Sequence, residues 1–288
     1  MAANKTNMVK RFIFKSEIIR KRIFEIVNSA KGGHLGGDLS CVNLLVALYF
    51  SQLNVDPQNP EMEDRDRFIM SKGHSIEALY AVLESAGFIS KELLATYGKY
   101  NSPFAGHPVN KIPGIEFNTG SLGHGLSVGV GIALSAKRDG KPFRTYVLMG
   151  DGELAEGSVY EAAMAGSHYK LDNLVAFIDR NGLQISGSTE EVMQLEPIDK
   201  RWEAFGWEVY TINGDNMAEI MDVLERIDWN GRKPHLIIMR TTKGNGVSFM
   251  ENKPVWHHGV PSDEEFQRAF NEIDERINAN NIKSIEVE

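Results

Sequence analysis

Apolar residues recur along this chain in two rhythms. Short unbroken runs predict buried strands at Arg67 to Met70, Tyr146 to Met149, Leu174 to Ile178, Trp207 to Ile212 and Leu236 to Arg240. Between them the apolar positions fall three or four apart, the period of a helix with one buried side. The first such helix covers 8 to 31, with Phe12, Ile19, Ile23, Ile26 and Val27 on one side and Gly32-Gly33 as its stop. Others are predicted at 42 to 50, with Asp38 or Ser40 as its cap, and at 76 to 86, 91 to 99, 125 to 138, 157 to 169, 198 to 205, 217 to 227 and 263 to 278. Polar connections occupy 51 to 66, 100 to 120, 184 to 196 and the stretch after Arg240. Strands separated by helices throughout predict an α/β fold, a parallel sheet covered by helices on both faces. No Pro/Gly/Ser-rich linker interrupts the pattern, so residues 1–288 read as a single domain with a C-terminal helix at about 263–278.

Composition narrows the function classes. The 288 residues are 42% hydrophobic, enough for one large α/β core. A net charge of −8 without a dense basic block argues against nucleic acid and anionic membranes as partners. No run approaches the roughly 18 apolar residues of a membrane span. The first residues, MAANKTNMVKRF, lack the apolar core of a secretory signal. The single cysteine, Cys41, leaves no internal disulfide and suits a reducing, cytoplasmic setting; it reads as a buried apolar residue rather than a nucleophile.

The most informative stretch is 145 to 187, TYVLMGDGELAEGSVYEAAMAGSHYKLDNLVAFIDRNGLQISG. It is one β-α-β unit with polar residues where the strands end, the edge at which open parallel sheets bind ligands. Asp151 supplies a carboxylate and Asn181 a side-chain carbonyl, and the Leu183 backbone carbonyl can join them. Such an all-oxygen set suits Mg²⁺, which takes one or two protein ligands and completes its shell with phosphate and water. Gly150 and Gly152 let a phosphate approach the backbone, and the helix start that follows favours an anion. The pattern therefore predicts a metal-bound diphosphate. A nucleotide-binding Rossmann domain shares the strand–helix order, but its GxGxxG fingerprint is absent.

Other polar turns fall at the same kind of position. His34 lies in GGHLGG, His74 in KGH after the first strand, and His107 in Gly106-His107-Pro108 within the long loop. Gly120-Ser121-Leu122-Gly123-His124-Gly125 opens a helix with Gly or Ala at 125, 129, 131, 133 and 136, which reads as close helix packing as well as room for a ligand.

GDGELAEGSVYEA…YKLDNLVAFIDRNGL resembles the thiamine diphosphate motif of the transketolase family, and the similarity extends over nearly the whole chain but only the first half of a transketolase. The resemblance implies the thiamine diphosphate-binding fold of the domain that holds the pyrophosphate. It implies a metal on Asp151, Asn181 and the Leu183 carbonyl: Mg²⁺, with Ca²⁺ or Mn²⁺ as substitutes. Cofactor contacts are implied at His74, Gly120, Ser121, Leu122, Gly150, Gly152, Glu153, Asn181 and His258, with His257 as the alternative to His258. Catalytic roles are implied for His34, His74, His107, Glu156 and Glu161; the two glutamates match acidic residues at a dimer interface, and a solvated helix face is their plain alternative. Leu35 stands where the family often has proline, and His124 where two-chain members usually have Gln, departures that bear on substrate preference.

The domain that would hold the aminopyrimidine and supply its activating glutamate has no counterpart after residue 260. The resemblance therefore implies the N-terminal subunit of a split transketolase. Its separate C-terminal subunit would supply that Glu, in an α2β2 assembly acting on sugar phosphates. One part of another thiamine-dependent enzyme, 1-deoxyxylulose-phosphate-synthase-like, and a non-catalytic thiamine diphosphate-binding protein are the alternatives.

Overall fold

The sheet is built from period-two strands that bury both faces. In a computed structural model, which describes residues 2–279, five strands run β1 (Arg67–Met70), β2 (Thr145–Gly150), β3 (Leu174–Arg180), β4 (Glu208–Asn213) and β5 (His235–Arg240). They pair in the order β1-β2-β3-β5-β4, every pair parallel. All five carboxyl ends therefore share one edge. Tyr146, Leu148, Val175, Phe177, Ile237 and Met239 face one core, while Val147, Met149, Leu174, Ala176, Ile178, Leu236 and Ile238 face the other. This alternation with apolar residues on both sides is what a helix-covered parallel sheet requires.

The first face is covered by α1 (Ala2–Ala30), α2 (Leu35–Ala47), α3 (Ile76–Ser85), α9 (Met217–Glu225) and α10 (Asp263–Ala279). Helix α1 contributes Phe12, Ile19, Ile23, Phe24, Ile26 and Val27. Phe266 and Phe270 of α10 stack on each other at 4.5 Å and meet Phe24 edge-on. Truncating a buried aromatic such as Phe24 to Ala is expected to cost about 3–5 kcal/mol. The second face is covered by α5 (Gly125–Arg138), α6 (Gly157–His168) and α8 (Ile198–Ala204). Gly129 lets α5 lie against β2: an added Cβ would meet Val147 at 2.5 Å, so the packing reading of that glycine holds. Two short helices, α4 (Lys91–Leu94) and α7 (Thr189–Val192), lie in connecting segments.

Four boundaries differ from the sequence pattern. Helix α1 begins at Ala2 rather than at position 8. Only Lys91–Leu94 of the segment 91–99 is helical, the rest being turns. The segment 184–196 contains α7, capped by Ser188. Helix α2 begins at Leu35, not Val42, and all thirteen of its residues are buried. Gly36 and Gly37 lie inside it because neighbours crowd them: a Cβ on either would stand 2.7 Å from Trp256 O or Ser75 Oγ. Asp38 and Ser40 consequently cap nothing in α2. Asp38 accepts the Ala78 N–H at 2.9 Å and Ser40 donates to Asp179 at 2.6 Å.

Candidate functional site

The register of β2 and β3 sets Gly150 beside Asp179, so both chains leave the sheet together. Asp151 follows Gly150 and is 2% exposed. Its Oδ1 accepts the Gly152 N–H at 2.8 Å, and its Oδ2 accepts the Gly182 N–H at 2.6 Å and the Arg180 guanidinium at 3.2 Å. Gly182 has φ +80°, a turn that favours glycine and brings its N–H back to Asp151. Burial and the neighbouring Asp179 charge push the Asp151 carboxyl up, against the pull of Gly182 and Arg180. Asn181 accepts the Leu183 N–H at 3.1 Å and donates to Asp179 at 3.2 Å.

Glu153, 1% exposed, ties three segments together. It accepts from Ser71 Oγ at the β1 tip, from the Gly123 N–H at 2.8 Å and from the Gly150 N–H at 3.0 Å. Below it lies a buried ion pair of Lys72 and Asp179, with Ser40, Thr241 and the Gly37 carbonyl completing their hydrogen bonds. Burial disfavours both charges, yet their mutual attraction wins: Lys72 is held above the usual lysine range and Asp179 below the usual carboxylate range. The pair stays charged across the working pH range.

Of these, Lys72, Gly150, Asp151, Gly152, Glu153 and Asn181 line a cavity of about 380 Å³ together with His34, Gly37, His74, Gly120, Leu122, Leu183, Lys243 and His257. The histidines come from separate loops and meet at its rim. The His34 ring lies 5.4 Å from His74, 5.7 Å from His257, 4.8 Å from His258 and 6.4 Å from His107. Burial first, then neighbouring cationic groups, lowers His34 and His257 to about 4 and His74 to about 2. All three are neutral near pH 7, each able to donate and accept one proton. His34 Nδ1 is buried without a hydrogen-bond partner, a polar atom ready for a ligand.

The predicted residues distribute as follows. Asp151, Asn181, Leu183, Gly150, Gly152, Glu153, Gly120, Leu122, His34 and His74 line the cavity. His257 lines it too, while the exposed His258 stacks edge-on against His34. His107 is exposed at the rim, with Gly120 packed under its ring. Ser121 is exposed. Glu156 and Glu161 are exposed on the side of α6, outside the cavity lining. Cys41 is buried, and burial pushes its thiol up to about 12.

Three charged residues of the site escaped the sequence reading. Lys72 immediately precedes the Gly73-His74 turn. Lys243 lies just past β5 and lines the cavity, its Nζ 3.1 Å from His257 Nδ1. Burial and the nearby Lys72 lower it to about 8. The signal was a lysine in TTKGNG at the same sheet edge. Arg180 joins Asp151 to Thr189, Glu190 and Glu196 and so anchors the 184–197 segment.

The donor set fits a metal-bound diphosphate. Among the described residues no group of three or more His, Cys, Asp or Glu is arranged to hold a metal. A cation here would take one carboxylate and neutral oxygens, as Mg²⁺ does when phosphate and water supply the remainder. Lys243 supplies positive charge beside it. A Cβ on Gly152 would press to 3.0 Å from Gln184, so a larger residue would intrude on the cradle. No described helix is long and apolar enough to cross a membrane.

The family model described as transketolase, thiamine diphosphate binding domain, matches residues 14–273. The chain is 59% identical over 269 residues to an apulose-4-phosphate transketolase subunit of Phocaeicola vulgatus, covering 93% of this chain and 96% of that protein. It is 40% identical to a 6-deoxy-6-sulfo-D-fructose transketolase subunit of a Clostridium species, covering 90% and 95%. Among solved structures, the transketolase of Campylobacter jejuni superimposes with a TM-score of 0.87 at 32% identity, covering 92% of this chain and 43% of that one. The chain thus spans less than half the length of that solved transketolase.

Proposed function

This chain belongs to the transketolase family as its N-terminal, thiamine diphosphate-binding part, and on that premise we propose that it is one subunit of a two-chain transketolase. The reaction moves a two-carbon ketol unit from a ketose phosphate to an aldose phosphate. The observation that carries the reading is the joining, in one cavity, of the Asp151–Asn181–Leu183 strand tips to the neutral His34, His74 and His257. The coverage figures support the division into two chains. The protein matches the Phocaeicola transketolase subunit over nearly its full length, but less than half of a one-chain transketolase.

Asp151, Asn181 and Leu183 would hold Mg²⁺, or Ca²⁺ or Mn²⁺ in its place. Gly152, Lys243 and the turn around Gly120 and Leu122 would hold the diphosphate. Bound thiamine diphosphate supplies the carbanion chemistry that accepts and releases the two-carbon group. This chain's residues do the rest. Neutral His34 and His74 hydrogen-bond sugar hydroxyls and move protons, and His107 and His257 or His258 complete the rim. Lys72 is paired with Asp179 and Asp151 with Arg180, so Lys243 is the lining cation left to meet an anion.

A separate C-terminal subunit would supply the glutamate that activates the aminopyrimidine. Two copies of each chain would form the assembly, with Glu156 and Glu161 facing a second copy. Their exposure, beside exposed Met164 and Tyr169 on the same helix region, supports that role. The test is to purify the chain alone and with the product of the adjacent reading frame. Each preparation is assayed with apulose-4-phosphate and other ketose phosphates plus an aldose phosphate acceptor. Ketol transfer by the mixture only is expected. Activity of the chain alone, or an inert mixture, contradicts the reading.

A further inference from the structure

Beside the His34 loop lie two carboxyl groups that the proposed chemistry leaves unused. Asp38 stands in the first turn of α2 and Glu77 in the first turn of α3; they are 0% and 1% exposed. Asp38 Oδ1 accepts the Ala78 N–H and so caps α3 from a neighbouring helix. Glu77 Oε1 accepts the Tyr97 O–H at 2.7 Å, and its carboxylate faces the His34 backbone N–H. The second oxygens, Asp38 Oδ2 and Glu77 Oε2, are buried and meet no N–H or O–H donor. The two carboxyl groups lie within hydrogen-bonding reach of each other.

Charge decides what this contact is. Two ionised carboxylates in contact inside a protein repel, and here two oxygens would also stay unsatisfied. One proton converts the same contact into an O–H···O⁻ hydrogen bond. The surrounding groups do not replace it. Lys72, beyond β1, is committed to Asp179 and the Gly37 carbonyl. Tyr97, after α4, already donates to Glu77. Cys41 on α2 keeps its proton, and from α1 the Val27 methyl lies beside Gly33 and the Glu77 carboxyl. Burial, then the Glu77 charge, raise Asp38 well above the carboxylate range, and burial raises Glu77 as well, so the contact retains a proton.

We propose that Asp38 and Glu77 share a single proton and that this pair is a positioning device for His34, locking the GGHLGG turn to α3. Tyr80, one turn further along α3, donates to the Ala105 carbonyl at 2.9 Å, so the same helix also steadies the approach to His107. The pair's consequence for catalysis rests on the ketol-transfer reading; its existence does not.

Both parts are read on the full chain without substrate. Infrared spectroscopy near pH 7 should show the carbonyl stretch of a buried protonated carboxyl group, absent in Asp38→Asn and in Glu77→Gln. The ¹⁵N resonances of the His34 imidazole should move in Asp38→Ala and return to the wild-type position in Asp38→Asn, whose amide N–H replaces the O–H. With the partner chain added, Asp38→Ala should lower kcat by about tenfold at unchanged cofactor affinity, and Asp38→Asn should recover it. A wild-type spectrum without the carboxylic acid band overturns the shared proton. A His34 resonance indifferent to Asp38→Ala, or equally displaced in Asp38→Asn, overturns the positioning role. Should Asp38→Ala not fold, Glu77→Gln takes its place in the resonance measurement, with the wild-type position expected. Wild-type inactivity toward sugar phosphates would sink the functional reading while both spectra still decide this one.

Discussion

The strand tips and the histidine rim, two ends of one cavity, are built on opposite terms. At the tips, Asp151, Glu153 and Asn181 are polar groups whose oxygens are already engaged by backbone N–H groups and Arg180. At the rim, His34, His74 and His257 are held neutral by burial, and His34 Nδ1 has no partner. Hydrogen bonds fix the tips in place, as holding an ion and an anion requires. The rim keeps open donors and acceptors, as handling hydroxyls and protons requires. One end should therefore govern cofactor affinity and the other turnover.

Replacing Asp151 by Ala should show the largest separation. Removing a buried charged group from its partners costs roughly 3–5 kcal/mol, and metal-dependent thiamine diphosphate affinity should fall by at least about 100-fold. An equal loss in His34→Ala would erase the distinction between the ends. Conversely, His34→Ala and His74→Ala should lower kcat by about 100-fold, within the range for lost acid–base groups. Their cofactor affinity, read by calorimetry, should stay within about threefold. A smaller effect sharpens the boundary at Lys243, which touches both ends. With its pKa near 8, the cation is lost as pH rises through that value, so thiamine diphosphate binding should weaken above pH 8. Lys243→Met should bind about tenfold more weakly at pH 7, the scale of one charge-assisted hydrogen bond, and lose that part of the pH dependence.

The smallest effect is on stability. His34, His74 and His257 have folded pKa values far below the ordinary 6.5, so the unfolded chain binds their protons first. Their stabilising contribution is fully present above pH 6.5 and is lost as pH falls from 6.5 toward 4 for His34 and His257 and toward 2 for His74. The Tm of the chain should drop over that window, and less steeply in His257→Gln. A slope unaltered by that substitution would remove His257 from the neutral set.

The two ends also differed in how openly the sequence displayed them. The tips lie within one continuous β-α-β unit, where apolar runs, GDG and IDRNG fix strand, turn and oxygen donors together. Unbroken apolar runs made the sheet equally plain. The rim is gathered from four distant loops, and only resemblance to a family brought its histidines together. The start of α2 is hidden in the sequence because Asp38 and Ser40 read as its cap, while close contact with Trp256 and Ser75 demands glycine at 36 and 37 inside the helix. Lys72, Lys243 and Arg180 were passed over because a charged residue shows its value only through burial and partners. The Asp38–Glu77 contact was hidden because Asp38 reads as a helix cap and Glu77 as one residue of an ordinary core helix.

The central claim is that the tips of β2 and β3 form a divalent-cation-dependent diphosphate site. The most direct measurement is a calorimetric titration of thiamine diphosphate into the wild-type chain together with the proposed partner chain, once with Mg²⁺ and once with the metal chelated. Binding that appears with Mg²⁺ and falls by at least about 100-fold on chelation is the predicted result. Equal affinity in the two titrations would contradict it.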